Sequence, residues 1–369
     1  MCFILFICIY NEEKSNLIYN NIEKKVENMI NLKNDHCGIA HPKVLEKMMY
    51  FSKEYFNGYG LDVISDKAKE LIKKEIGMND VDIHFLVGGT IANKCVIHNA
   101  LKTYEAVICA DTGHINVHET GAIESTGHKV LTCQNEDGKV VPSRVKEVYN
   151  LHVDEHMVKP KMLYISNSTE TGSVYTLSEL QELSTLCKEL DLLFYMDGAR
   201  LGAALTSNMC DYTLNDIAKL VDVFYIGGTK NGAMLGEAVV IINDKLKENF
   251  RFMIKHLGAM YSKGFVAGIN FYALFEDGLF FEIAKQENKM ANELYKKLIS
   301  LGITFASTPQ SNQIFPVFKN NIIEKIKDLI SFEVWNVGSD ETTIRFVTSY
   351  MTTSEEIDKT IEIIKEVIA

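Results

Sequence analysis

From residue 81 the hydrophobic positions form short runs separated by stretches of helical spacing. "VDIHFLV" (81–87) predicts a strand and "TIANKCVIHNAL" (90–101) a helix that Thr90 is placed to cap. "AVICAD" and "HKVLTC" read as strands, "PSRVKEVYNL" as a helix with Pro142 in its first turn, and "KMLYIS" as another strand. "TLSELQELSTLCKEL" opens with Thr176 and Glu179 in capping-box spacing and sets Leu180, Leu183, Cys187 and Leu190 on one face. "LLFYM", "VDVFYI" and "AVVII" are apolar throughout, as strands covered on both faces are. Strand and helix alternate, which predicts an α/β domain around a mostly parallel central sheet flanked by helices.

After about residue 275 the pattern changes. "FEIAKQENKMANELYKKLISL" is a long amphipathic helix, and "ITFAS", "NQIFPVF", "FEVWNV" and "TTIRFVTSY" read as strands. A last helix, "SEEIDKTIEIIKEVI", has Thr353 and Glu356 at its start in capping-box spacing. The expected division is a large domain over 29–275 and a smaller α+β domain over 276–369. The apolar decamer "MCFILFICIY" is too short to span a bilayer and has no basic flank, and the globular pattern starts near Met29, an alternative start. Residues 1–28 are therefore set aside as an extension without an assigned role.

Composition narrows the field. The chain is 369 residues long, 47% hydrophobic and 24% charged, with a net charge of −11. An acidic surface argues against nucleic-acid and anionic-membrane partners, so an anionic ligand has to be held by local groups. None of the eight cysteines forms a C-x-x-C pair, and most lie in apolar runs, which fits buried thiols in a reducing cytoplasm and no metal site.

Two buried strands end in charged residues: "YMDGAR" carries Asp197 and "YIGGTK" carries Lys230. Ligands gather at the carboxyl ends of strands in open α/β sheets. Pyridoxal phosphate needs both groups, an amine for its aldehyde and a carboxylate for its ring nitrogen. An Asp–Lys ion pair or two unrelated loop residues would leave the same trace. "LVGGTIAN" offers a phosphate cradle in Gly88, Gly89 and Thr90 at a helix start, although a Gly-Gly turn before a helix is common. "DTGHINVHETGAIESTGH" holds three histidines, any of which could stack on a ring, move protons or be structural. Arg345, alone among apolar residues in "TIRFVTS", suits a carboxylate or a structural salt bridge.

In order, "NGYGLD", "FLVGGTIAN", "DTGHINVHETGAIE", "MDGARLGAAL", "GGTKNGAMLGEAVV" and "IRFVTS" resemble the low-specificity threonine aldolases of the β-eliminating-lyase group. The resemblance covers roughly residues 33–350. It implies a fold-type-I pyridoxal-phosphate enzyme that cleaves threonine or allo-threonine to glycine and acetaldehyde by a retro-aldol reaction. It also implies roles. Lys230 links to the cofactor, Asp197 meets the ring nitrogen, and His114 stacks on the ring. Gly89 and Thr90 match the phosphate-binding pair, and Gly88 and Thr229 fall among the cofactor contacts. Arg200 and Arg345 grip the substrate carboxylate, and Arg200 also falls among the cofactor contacts. Asn34 and Asp35 stand where relatives have a Ser-Asp pair whose serine helps to bind that carboxylate. Lys263 takes the place of an Arg that reaches a neighbouring subunit's phosphate, so a homodimer or homotetramer is implied. Where many members carry a His near the substrate hydroxyl, this chain has "SNSTETGSVY", with Asn167, Ser168, Thr169 and Glu170. His114, or a water it holds, is then the expected base. A β-elimination on the same scaffold, or a non-catalytic cofactor-binding protein, are the alternatives.

Overall fold

The computed structural model describes residues 29–368; the 1–28 extension lies outside the described residues. Strand β1 (Ile30–Asn31) comes first, followed by helices Pro42–Tyr50 and Val63–Ile76. Helix Val63–Ile76 is bounded as its sequence dictates. The Asp62 carboxylate accepts the Ile64 and Ser65 amides at its start, and Gly77 closes it at φ 69°.

Strands β2 (Asp82–Leu86), β3 (Glu105–Ala110), β4 (Val130–Cys133), β5 (Lys159–Ser166), β6 (Leu193–Asp197), β7 (Val223–Gly227) and β8 (Glu237–Ile241) form a seven-stranded sheet in the order β2-β8-β7-β6-β5-β3-β4. The pairs from β7 through β4 are parallel, and β8 alone runs antiparallel to both its neighbours. Side chains alternate between two cores. Leu163, Ile165, Phe194, Met196, Phe224 and Ile226 join one. Tyr164, Tyr195 and Tyr225 join the other, together with Ala92, Cys95 and Val96 of the helix Gly89–Ala100. With a period of two, Asp197 shares the face of Tyr195. Apolar runs without alternation are what a sheet covered on both sides requires.

The helices Phe265–Glu276 and Leu279–Ser300 lead to a second layer. There β9 (Thr304–Phe305), β10 (Gln313–Ile314), β11 (Pro316–Lys319), β12 (Ile330–Ser331), β13 (Glu333–Val337) and β14 (Glu341–Val347) follow, and helix Ser354–Ile368 ends the described chain. Strand β14 is central to the antiparallel sheet, with β10, β11 and β13 pairing to it. Ile344 and Phe346 face a core that includes Leu294, Ile357 and Ile364, and also Ile30 and Leu32 from the start of the described chain. Arg345 therefore points to the opposite face. "NQIFPVF" is two strands rather than one, broken at Phe315, whose carbonyl accepts the Ala306 amide. A bulge between Val334 and Asn336 frees Trp335 from the ladder, and its ring lies 5.4 Å from the Arg345 guanidinium.

Candidate active site

Register puts the predicted chemistry on one edge of the large sheet. Glu237 at the start of β8 pairs with Leu86 at the end of β2 and Gly227 at the end of β7, and Ser166 pairs with Asp197. The Gly88–Gly89 turn, the Lys230 turn, Asp197 and the segment after Ser166 thus leave the sheet side by side. Two strand ends are pressed together here. A Cβ at Gly227 would lie 2.2 Å from the Ala199 carbonyl oxygen, and one at Gly198 would lie 1.9 Å from that of Tyr225. Only glycine permits that approach.

Four donors converge on the buried Asp197 carboxylate. The Tyr164 hydroxyl donates to Oδ2 at 2.6 Å and Asn93 Nδ2 to the same oxygen at 3.2 Å. The Tyr225 hydroxyl and the Ala199 amide, at 2.9 Å, donate to Oδ1. Burial, helped by the nearby Asp197 charge, pushes the hydroxyls of Tyr164 and Tyr225 well above the ordinary tyrosine range, so they stay donors.

Lys230 differs in kind: among the described residues its Nζ makes no hydrogen bond and no ion pair. Burial lowers its pKa, the Arg200 charge lowers it further, and Asp35, Asp197 and Glu237 pull the other way. A buried amine whose pKa is lowered, with no hydrogen-bond partner among the described residues, is a nucleophile awaiting an electrophile. The turn that carries it is tied down. Thr229 Oγ1 accepts the Gly236 amide at 3.1 Å and Glu237 Oε2 accepts that of Gly228 at 2.9 Å.

Glu237 itself is buried, and burial lifts it from 4.5 to about 8 against the pull of its hydrogen bonds and of Lys230. A folded-state value above the unfolded one favours the protonated fold. The stabilisation is complete below the unfolded value near 4.5 and is lost as pH rises through about 8. Glu237→Gln keeps an acceptor for Gly228 and cannot ionise. Its melting temperature should fall less than the wild type's between pH 5 and 9, as measured by calorimetry on the cofactor-free protein. Parallel curves would contradict the assignment.

Thr90 does not cap its helix. The helix starts one residue earlier, at Gly89, and Gly88 at the cap position supplies no side chain, so Thr90 falls within the first turn and is exposed. The first amides are consequently left for an outside acceptor, which suits an anion. The space is open on one side and closed on the other. A Cβ at Gly88 would touch nothing within 4 Å, whereas at Gly89 it would meet the Tyr225 hydroxyl at 2.9 Å.

Two arginines face this edge in different states. Arg200 is spoken for: Nε donates to Asp35 Oδ2 at 2.7 Å and Nη2 to Oδ1 at 3.2 Å. Burial would raise the Asp35 carboxyl, but Arg200, His36 and Lys230 outweigh it and hold the group well below the usual range. Arg345 is not satisfied. Among the described residues its buried Nε has no partner, and Nη1 reaches only Gln313 Oε1 at 3.5 Å. Burial and the Arg200 charge bring it down to about 10. An orphaned planar donor calls for a planar acceptor, and a carboxylate is one.

His114 begins a short helix, His114–Val117. Its backbone amide donates to Glu170 Oε1 at 3.0 Å, and that oxygen also accepts the Ser166 hydroxyl at 2.6 Å. Its Nδ1 lies 2.8 Å from Glu119 Oε1. The segment that lacks the expected histidine thus contributes Glu170, whose carboxyl is raised by burial. His118 lies 5.5 Å from His114 between ring centroids, and burial, then the charges of His114, Arg345 and Lys230, lower its pKa.

Not every predicted residue joins this group. Asn34 turns its Oδ1 back onto the His36 amide. Lys263 is exposed and lies beside the "NGYGLD" segment, where the Ser262 carbonyl accepts the Tyr59 amide at 2.9 Å. Tyr164, Tyr225, Asn93 and Glu119 were not singled out from sequence, and His118 was read only as one of three histidines in its segment. Asn93 alone left a signal, as an amide inside the apolar stretch of "TIANKCVIHNAL".

Comparison with known proteins places the chain. Residues 40–321 match the family described as beta-eliminating lyase. A low-specificity L-threonine aldolase from a Pseudomonas species is 33% identical over 301 residues, covering 80% of this chain and 83% of that protein. The structure of Leishmania major threonine aldolase superposes with a TM-score of 0.91 at 42% identity, over 92% of this chain and all of the other. A Thermus thermophilus aspartate aminotransferase, 15% identical, shares the fold at a TM-score of 0.69 over 94% of each chain.

Proposed function

The chain belongs to the beta-eliminating lyase family, and we propose that its site cleaves β-hydroxy-α-amino acids, threonine foremost, into glycine and an aldehyde with pyridoxal phosphate as cofactor. The observation that carries this reading is an unpartnered, desolvated Lys230 amine on the same sheet edge as a donor-saturated Asp197. The residues present fit the cofactor. Among the described residues Lys230 has no partner that competes with an aldehyde. The uncapped amides after Gly88 leave room for a phosphate, with Thr90 and Thr229 close by in sequence to each turn. Asp197 is fixed in orientation by the donors that meet its two oxygens.

When bound, pyridoxal phosphate supplies a conjugated system that takes up the electron pair of the breaking Cα–Cβ bond. The chain's own residues do the rest. Lys230 supplies the amine that exchanges with the substrate's. Asp197 would supply the negative charge that keeps the ring nitrogen protonated, its Oδ2 freed once the Tyr164 hydroxyl turns away. Arg345, with its open Nε, takes the substrate carboxylate and so orients Cα. Arg200, locked by Asp35, adds positive charge next to it without moving. His114 would take up the β-hydroxyl proton at Nε2, directly or through a water, and the aldehyde would leave as that proton is taken.

A homo-oligomer is part of the proposal. Tyr50, Tyr55, Leu61, Val63 and Phe252 are exposed apolar side chains, and Lys263 stands beside the 57–60 segment. The six described cysteines are all unpaired, which suits the cytoplasm. No described helix is long and apolar enough to cross a membrane.

The test is incubation of the cofactor-loaded protein with threonine, serine or tyrosine, with assays for acetaldehyde, pyruvate and phenol. Acetaldehyde from threonine is expected. Pyruvate or phenol in its place would transfer the site to β-elimination. The same preparation should sediment as a dimer or larger, and a monomer at assay concentration would remove the oligomer from the proposal.

A further inference from the structure

Behind His114 lies a buried polar chain that the reaction scheme does not use. Glu119 Oε1 is 2.8 Å from His114 Nδ1 and accepts Asn93 Nδ2 at 2.7 Å. Asn93 Nδ2 also reaches Asp197 Oδ2 at 3.2 Å, and Asn93 Oδ1 accepts the Tyr195 hydroxyl at 2.7 Å. The side chain of Glu119 is fully buried and its Oε2 has no partner among the described residues.

The orientation of Asn93 follows from its neighbours. Flipping the amide would turn its carbonyl oxygen toward two carboxylates, so both N–H groups must point at them. Glu119 and Asp197 are then both acceptors. A carboxylate that already accepts from Asn93 offers His114 an acceptor as well, which favours the imidazole tautomer with its proton on Nδ1. The other ring nitrogen, Nε2, is left with a lone pair. The His114 backbone amide is held by Glu170, so ring rotation is the main freedom left to the residue, and Glu119 removes it.

We propose that Glu119 is a positioning residue that fixes His114 as the Nδ1–H tautomer with Nε2 as the proton acceptor, and that Asn93 couples this arrangement to Asp197. The inference rests on the proposed cleavage only in naming the proton as that of a β-hydroxyl; the tautomer itself is independent of it.

The experiment uses holoenzyme labelled with 15N-histidine, in wild-type, Glu119→Leu and Glu119→Gln forms. Leu removes the acceptor. Gln keeps a carbonyl oxygen in the same place and separates position from charge. In the wild type the His114 nitrogens, assigned by a His114→Asn control, should report Nδ1–H. In Glu119→Leu the signature should shift toward Nε2–H, and kcat for threonine should fall by about 100-fold, the usual range for a general base, with KM changed less than about threefold. Glu119→Gln should retain the Nδ1–H signature and kcat within about tenfold of wild type. A Glu119→Leu enzyme with unaltered tautomer and kcat would overturn the proposal. So would a folded Glu119→Gln enzyme with the opposite tautomer, which decides the matter if the Leu variant does not fold. If the wild type releases no acetaldehyde, the functional reading fails, and the nitrogen spectra still decide the role of Glu119.

Discussion

Lys230→Ala is expected to reduce acetaldehyde release from threonine on the order of 10⁴-fold or more while leaving the fold intact. The two halves of this expectation have the same origin. Lys230 Nζ makes no hydrogen bond or ion pair among the described residues, and burial depresses its pKa. Truncation strands no partner, and it relieves the cost of keeping a cation in a poorly solvated place. The melting temperature of the cofactor-free variant should equal or exceed that of the wild type, and bound pyridoxal phosphate should be lost on dialysis. Unchanged acetaldehyde release would sink the mechanism. A large loss of stability would mean that the amine has a structural partner.

Asp197→Asn carries the second large effect, and it is not a conservative change here. An amide can present oxygen to only one side. If its NH₂ takes the place of Oδ1, it faces the Ala199 amide; if it takes the place of Oδ2, it faces the Asn93 NH₂. Tyr164 and Tyr225 can turn their hydroxyls around to accept, but an N–H cannot. Either orientation sets N–H against N–H in a buried site, a cost of about 2 kcal/mol. The variant also loses the charge that would hold a proton at the ring nitrogen. We expect turnover to fall by roughly 10² to 10⁴-fold and the melting temperature to drop in both cofactor-free and loaded protein. A catalytic loss with no change in stability would show that the four-donor cage is looser than its distances imply.

The parts legible in sequence were those written in periodicity and in strand-end chemistry. The strands of the large sheet fall within a residue or two of their apolar runs, and the capping boxes at Thr176 and Thr353 form as spaced. Asp197 and Lys230 stood out because charged residues closing buried strands need a reason. Helix Phe265–Glu276 went unread because it is apolar nearly all round and shows no stripe to detect. Helix Val63–Ile76 went unread although Asp62 and Gly77 marked both its ends. Contacts that depend on how distant segments fold together left no local trace. The pairing of Asp35 with Arg200, the tyrosine row and the Glu119–Asn93 link join residues up to 165 positions apart. Thr90 misled because threonine before an apolar run reads as a cap, whereas here the helix is left uncapped at the position where an anion would complete it.

Strand β8 serves as a gauge. Its first residue, Glu237, is hydrogen-bonded in register to β2 on one side and β7 on the other. The turn that offers amides to a phosphate leaves β2 just beyond Leu86, and the turn that carries the amine leaves β7 just beyond Gly227. Their relative height is therefore set by how two ladders count along a single shared strand. A slip of one position on either side would offset them by about 3.3 Å and turn the side chains of the slipped strand to the other face. The span between the two grips is measured out by backbone pairing, which substitution of side chains alone does not rewrite.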